Sequence, residues 1–241
     1  SLSASQAMER VATTAHRDNS QQVRWMSAEF LSRVETLDAL GISKGLDVVE
    51  VTVADAKGKE TTMKVKAIPM PDQQHGHRAI PADWVDMAAA TTTPPPWRRD
   101  PDNRFTADYL DDANLVYANF RVVLNDEKET VEAFGDRVIA LANDKKARAL
   151  VIDVRLNNGG NNFLGRAFLE SILRSNYNEQ GRLFVITGRE TFSACQNFCN
   201  WMDRQTAAMF AGEPTGSRPN FVGEGNEILL PYSGLSANAS S

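Results

Sequence analysis

Residues 149–162 read ALVIDVRLNNGGNN, and this stretch decides the fold. Its first six residues are almost wholly apolar, which is typical of a strand that is covered on both faces of a sheet. Two adjacent glycines flanked by asparagines follow at once, so the strand must end in a tight, polar loop. Strands of this kind belong to α/β domains, in which buried strands alternate with helices.

The alternation continues on both sides of this stretch. Apolar runs predict further strands, and apolar residues at helical spacing predict the helices between them. The predicted strands are 115–120, 149–154, 183–186, 208–211 and 226–230, and the predicted helices are 131–142, 163–173 and 194–205. We therefore expect a largely parallel sheet with flanking helices over residues 107–241.

The first part of the chain follows a different pattern. Two apolar stripes at helical spacing, the second one running from Phe30 to Leu40, predict helices that end at Gly41. Extended runs at 48–53 and 61–68 flank a polar loop with a glycine, which predicts a β-hairpin. Residues 1–68 are therefore interpreted as a small helix-plus-hairpin unit.

Residues 69–106 are rich in proline and predict neither helix nor sheet of any length. We interpret them as a long ordered connection on the surface, anchored by Trp84 and Trp97.

Composition excludes several classes of function. The 241 residues carry a net charge of −5, which argues against a nucleic-acid partner, and no apolar run is long enough to span a bilayer. His16 stands alone and His75 and His77 have no ligand-bearing neighbours, so neither a metal site nor a cofactor is expected. Cys195 and Cys199 are four residues apart and are interpreted as apolar side chains on one helix face.

Three segments could carry chemistry, and each follows a predicted strand, where open α/β sheets place their sites. In the first, Gly159 and Gly160 could expose backbone N–H groups to an oxyanion. The alternative is an ordinary tight turn, with Asn161 or Asn162 capping the next helix.

The second segment is Thr191-Phe192-Ser193-Ala194, between a strand and a helix. Ser193 lies where a nucleophile could face the helix N-terminus, beside the N–H of Ala194. The alternative is a capping box, in which Ser193 and Gln196 satisfy backbone N–H groups of the helix.

The third segment, residues 212–219, reads GEPTGSRP, and its glycines and prolines predict a fixed loop. Its alternative is a surface turn before the next strand.

Together, the order and spacing of Asp-x-Arg-x-Asn-x-Gly-Gly, Thr-x-Ser-Ala and Gly-Glu-Pro-Thr resemble the tail-specific, or C-terminal-processing, serine peptidases over roughly residues 107–234. The resemblance implies a ClpP/crotonase-type mixed sheet, a polypeptide substrate, Ser193 as the nucleophile, and Gly159 or Gly160 with Ala194 as the oxyanion hole. By resemblance alone it also implies an extracytoplasmic location.

One position departs from the family. Where the Ser–Lys members have their lysine base, 25 residues after the nucleophile, this chain has Arg218, and arginine stays protonated in proteins. The Gly-Glu-Pro-Thr-Gly-x-x-Pro-Asn pattern resembles a branch without that lysine, whose members carry a histidine in an upstream Gly-Asp-Gly-His-Thr segment that is not found here. We therefore expect a fragment that is inactive by itself, with a histidine base outside it.

Two other functions stay open. The first is a non-catalytic module that binds a peptide or an apolar ligand on the same fold, which Arg218 favours. The second is an acyl-CoA enzyme of the crotonase type, which would use the same oxyanion hole without Ser193.

Overall fold

The computed structural model describes residues 2–68, 94–221, 223 and 225–240. The chain forms two compact units, Ser1–Pro94 and Pro95–Ser241. His75, His77 and Trp84 lie outside the described residues.

The described residues of the first unit form three short α-helices and one hairpin. The helices are α1 (Ala4–Val11), α2 (Ser20–Phe30) and α3 (Val34–Ala39), and the strands are β1 (Val48–Ala54) and β2 (Glu60–Lys66). The single predicted stripe from Phe30 to Leu40 is split between α2 and α3, because Arg33 is extended at φ −105° and ψ 109°. The described residues otherwise form the helices and the hairpin that the sequence predicts.

The hairpin turns through a compact loop. Asp55 accepts hydrogen bonds from the backbone N–H groups of Lys57 and Lys59, and Gly58 adopts φ +80°. Antiparallel pairing places Val51 opposite Met63 on one face of the hairpin.

The second unit is built on a five-stranded sheet. Its strands are β3 (Phe105–Leu110), β4 (Leu115–Phe120), β5 (Ala149–Asp153), β6 (Leu183–Thr187) and β7 (Met209–Gly212), in that spatial order. β3 is antiparallel to β4, and the other pairs are parallel. The predicted mixed sheet with flanking helices is therefore confirmed. A separate hairpin follows, formed by β8 (Gly225–Leu229) and β9 (Ser236–Ser240).

Three helices connect the parallel strands: α4 (Val131–Asp144), α5 (Gly165–Leu173) and α6 (Ala194–Gln205). Parallel strands in sequential order, joined by right-handed crossovers, place all three helices on one face of the sheet. In agreement, α5 packs against both α4 and α6. A cluster of five aromatic rings fills the space between them and the sheet: Phe105, Phe120, Phe134, Phe168 and Phe198.

Some elements differ from the sequence prediction. β3 was not predicted, because it is a polar edge strand whose first residue, Phe105, falls within the range interpreted as a connection. β9 was missed as well, since its small and polar residues carry no strand signal. α5 begins at Gly165, two residues later than predicted, because Asn161 accepts a hydrogen bond from the Phe163 N–H and delays the helix.

Residues 95–104, the part of the proline-rich connection that belongs to the second unit, are held in place through their backbone carbonyls. The buried guanidinium of Arg121 donates hydrogen bonds to the carbonyls of Trp97, Arg99, Asp100 and Asn103. The ring of Trp97 lies 5.2 Å from the guanidinium of Arg155. Arg121, rather than a tryptophan alone, therefore fixes this segment.

Candidate active site

The three segments selected from the sequence meet at the carboxyl edge of the sheet. They follow β5, β6 and β7, which are parallel neighbours, so their ends lie side by side. The Phe192 N–H donates to the Asn157 carbonyl over 3.1 Å, and the Gly216 N–H donates to the Thr191 carbonyl over 2.9 Å. Backbone hydrogen bonds thus join all three loops.

Ser193 has an unusual backbone. It adopts φ 54° and ψ −127° at the N-terminus of α6, and it is one of four described non-glycine residues with positive φ. A residue with a Cβ is held in such a conformation only by its surroundings, and such positions cluster at functional sites. A sharp strand-to-helix turn with a strained serine is also how a nucleophile elbow exposes its hydroxyl.

The capping-box alternative for Ser193 is wrong. Its hydroxyl accepts no backbone hydrogen bond, and the Gln196 side chain donates to Asn200 Oδ1 over 2.9 Å instead. Among the described residues the half-exposed Ser193 hydroxyl has no hydrogen-bond partner of any kind. The hydroxyl is therefore available for chemistry.

The two glycines after β5 come into close contact with their neighbours. A Cβ on Gly159 would lie 2.6 Å from the Ser193 Cβ, and one on Gly160 would lie 2.4 Å from the Val123 carbonyl oxygen. Both have positive φ, +114° and +137°. Only glycine fits these positions, because any other side chain would push the loop away from Ser193 or Val123.

The backbone amides of this region divide into occupied and unoccupied donors. The Gly159 N–H donates to Asn157 Oδ1 over 3.0 Å. By contrast, the N–H groups of Gly160 and Ala194 have no acceptor among the described residues. Of the three amides selected from the sequence, these two are the ones free to meet a ligand.

Side-chain contacts hold the third loop, residues 212–219, next to the turn that carries Ser193. The guanidinium of Arg189 forms a bidentate ion pair with the Glu213 carboxylate, with one N···O distance of 2.8 Å, and that hydrogen bond raises the pKa of Arg189. The rings of Phe192 and Phe221 lie 5.7 Å apart, and Asn200 donates to the Pro219 carbonyl. Arg218 lies exposed on this loop.

A buried polar group lies beneath the first loop. The Asp153 carboxylate accepts hydrogen bonds from the Tyr117 hydroxyl and from the Arg155 Nε, the latter at 3.0 Å. Burial, together with the negative charge of Asp153, raises the pKa of Tyr117 well above its ordinary value. Asp153 and Arg155 were part of the sequence motif, but Tyr117 gave no signal.

The cysteines belong to the core rather than to the site. Cys195 and Cys199 are buried on the inner face of α6, and desolvation raises the pKa of the Cys195 thiol. In the part of the chain that the structure describes, no three histidine, cysteine or carboxylate side chains are grouped as metal ligands. Nor is any described helix long and apolar enough to cross a membrane.

Sequence analysis gave Asn157 no role of its own. It is fully buried and bonds to the neighbouring loops, although its place in Asn-x-Gly-Gly was the signal that could have identified it.

No profile of a known protein family and no curated protein matches this chain. Solved structures that it is similar to are peptidases by description. A candidate peptidase from Parabacteroides merdae is 19% identical with a TM-score of 0.42, covering 53% of this chain and 48% of that one. The photosystem II D1 C-terminal processing protease is 14% identical with a TM-score of 0.40, covering 80% and 50%. A candidate S41 protease from Bacteroides fragilis is 11% identical with a TM-score of 0.39, covering 80% and 52%. This chain therefore spans about half the length of each of these structures.

Proposed function

We propose that this chain carries the nucleophile and the oxyanion hole of a serine peptidase, and that a histidine outside it supplies the general base. The observation that carries the proposal is the strained Ser193, whose hydroxyl has no described partner. Of the two unoccupied amides, that of Ala194 follows Ser193 in the chain, and that of Gly160 follows Gly159, which is in close contact with Ser193. Residues held in such strained conformations cluster at functional sites, which supports a role for Ser193 beyond the fold.

The chemistry follows the acyl-transfer pattern. Ser193 Oγ attacks the carbonyl carbon of a peptide bond, and its proton passes to the histidine base. The N–H groups of Gly160 and Ala194 would donate hydrogen bonds to the oxyanion of the tetrahedral intermediate. The base returns the proton to the leaving amine as the C–N bond breaks, and water then hydrolyses the acyl-serine.

A polypeptide substrate could be held along the edge of the sheet. β7 is an edge strand among the described elements, and Met209 and Phe210 on it are exposed. An extended peptide can add to such an edge through main-chain hydrogen bonds. The loop that follows β7 is fastened beside Ser193, so a peptide on this edge would approach the serine.

The second candidate is a non-catalytic binding module on the same fold. Arg218 favours it, because an arginine stands where the Ser–Lys members have their base and cannot take a proton. In this case Ser193 would have no catalytic role and would not react with the bound ligand.

Labelling with a fluorophosphonate probe, with and without added imidazole, separates the two candidates. Imidazole can replace an absent histidine as the base, so we expect it to accelerate labelling of the wild-type chain and to have no effect on Ser193→Ala. If the wild type stays unlabelled at every imidazole concentration, the hydrolase proposal is wrong and the binding module is favoured.

A further inference from the structure

Asn157 is a polar residue without any exposed surface in the middle of the candidate site. Its side-chain Nδ2 donates to the Phe120 carbonyl at the end of β4 over 2.8 Å, and its Oδ1 accepts from the Gly159 N–H over 3.0 Å. Its backbone carbonyl accepts from the Phe192 N–H, next to Ser193. One residue therefore ties together the end of β4, the glycine loop and the turn that carries Ser193.

These bonds decide which amide of the glycine loop is available. The Gly159 N–H is used by Asn157, so it has no free hydrogen for a substrate. Gly160 forms a parallel bridge with Val123, in which the Val123 N–H donates to the Gly159 carbonyl and the Asn161 N–H donates to the Val123 carbonyl. In that pattern the N–H of Gly160 itself points away from Val123 and stays unoccupied.

We propose that Asn157 is a positioning residue that selects the Gly160 N–H as the oxyanion donor, by binding the Gly159 N–H and fixing the loop against β4. This inference rests on the proposed function, since it concerns the oxyanion hole of the same site.

The chemistry of the side chain explains why an amide is needed. A primary amide offers a donor and an acceptor in one rigid plane, so it can bind the Phe120 carbonyl and the Gly159 N–H at once. An ionised aspartate lacks the donor and would bring a negative charge close to the developing oxyanion. Leucine has a similar volume but would leave both backbone groups buried without a partner.

Amide hydrogen exchange tests the geometry without any reaction. We expect the Gly159 N–H to be protected, and the Gly160 and Ala194 N–H groups to exchange rapidly in the wild-type chain. If Gly159 exchanges as fast as Gly160, Asn157 does not hold it and the proposal is overturned.

Fluorophosphonate labelling of Asn157→Asp in the presence of imidazole tests the consequence. At about pH 5 a buried aspartic acid is protonated and reproduces both hydrogen bonds of the amide, so its labelling rate should stay within about tenfold of wild type. At about pH 8 the ionised form should label about 100-fold more slowly than wild type, because the donor is misplaced and faces a negative charge. Asn157→Leu offers neither hydrogen bond at any pH and should label about 100-fold more slowly than wild type. A labelling rate of Asn157→Leu within about tenfold of wild type overturns the proposal.

The matched control is Tyr177→Phe, which removes another buried hydrogen bond from a side chain to a backbone carbonyl, that of Ala142. Its labelling ratio should be the same at both pH values, since it is not part of the loop. A wild-type chain that imidazole cannot activate would instead overturn the proposed function. Hydrogen exchange would still decide whether Asn157 selects the free amide.

Discussion

Gly159 lies so close to Ser193 that a Cβ on the glycine would come within 2.6 Å of the serine Cβ. The backbone after β5 and the turn before α6 are therefore packed against each other without room for any side chain between them. This contact brings the glycine loop to the serine, and four predictions follow from it and from the bonds around it.

Alanine at Gly159 should remove both stability and reactivity. The new Cβ would collide with Ser193 in addition to straining a positive φ, so we expect the free energy of unfolding to fall by about 3 kcal/mol. Gly181→Ala is the matched control, because Gly181 also has positive φ, +81°, but open space around it. It should cost only about 1 kcal/mol in chemical denaturation. If both variants lose the same free energy of unfolding, the collision of the new Cβ with Ser193 adds nothing to the cost of the positive φ.

Substitutions of Ser193 should reveal strain rather than a helix cap. Ser193→Ala loses no hydrogen bond and should change the free energy of unfolding by less than about 0.5 kcal/mol. Ser193→Gly should be more stable than Ser193→Ala by about 1 kcal/mol, because glycine accepts φ 54° without a Cβ penalty.

Thr130→Ala provides the comparison for a true cap in the same unit. Thr130 Oγ1 accepts a hydrogen bond from the Ala133 N–H at the start of α4, and its loss should cost about 1 kcal/mol. Urea unfolding of the three variants checks both statements. A loss at Ser193→Ala as large as that at Thr130→Ala would contradict the strained-turn interpretation.

The ion pair between Arg189 and Glu213 should contribute more to the order of the loop after β7 than to the global stability of the fold. Both side chains are more than a third exposed, so Arg189→Ala should lower global stability by no more than about 1 kcal/mol. Limited proteolysis should nevertheless cut residues 213–221 faster in this variant. Arg174→Ala breaks a pair with Glu170 on a helix surface and should leave that cleavage unchanged. If cleavage is as slow as in wild type, other contacts hold the loop.

Alkaline pH should destabilise the second unit through Tyr117. Its pKa is raised in the folded chain, so its contribution to stability is complete below about pH 10 and is lost as the pH rises toward the folded pKa. The tyrosinate absorbance of Tyr117 should therefore appear only with unfolding.

The variant Tyr117→Phe should lower stability at neutral pH by about 1–3 kcal/mol, because Asp153 loses a buried donor. Above about pH 10 its stability should fall less steeply than that of the wild type. A parallel alkaline decline in both proteins would show that Tyr117 does not ionise with unfolding.

Sequence periodicity alone predicted most of the second unit. The apolar runs of β5 and β6 and the helical stripes of α4 and α6 were clear. A strand buried on both faces requires a continuous apolar run, whereas a helix buried on one face requires apolar residues every three to four positions. The edge strand β3 was missed because a half-exposed strand has no such constraint. The predicted helix at 194–205 forms as α6, and the strand predicted at 208–211 forms one residue later as β7.

The chain's residue types and spacing by themselves determined that three polar loops follow three neighbouring strands, and that Ser193 stands between a strand and a helix. They left both the capping box and the nucleophile open, since both need a serine at that position. Only the tertiary structure excluded the capping box, because φ at Ser193 and the approach of Gly159 depend on how β5 and β6 lie side by side. The availability of the Gly160 N–H, rather than the Gly159 N–H, likewise depends on the tertiary structure. The Gly159 N–H donates to the buried Asn157, and Asn157 in turn donates to the carbonyl of Phe120, 37 residues earlier in the chain.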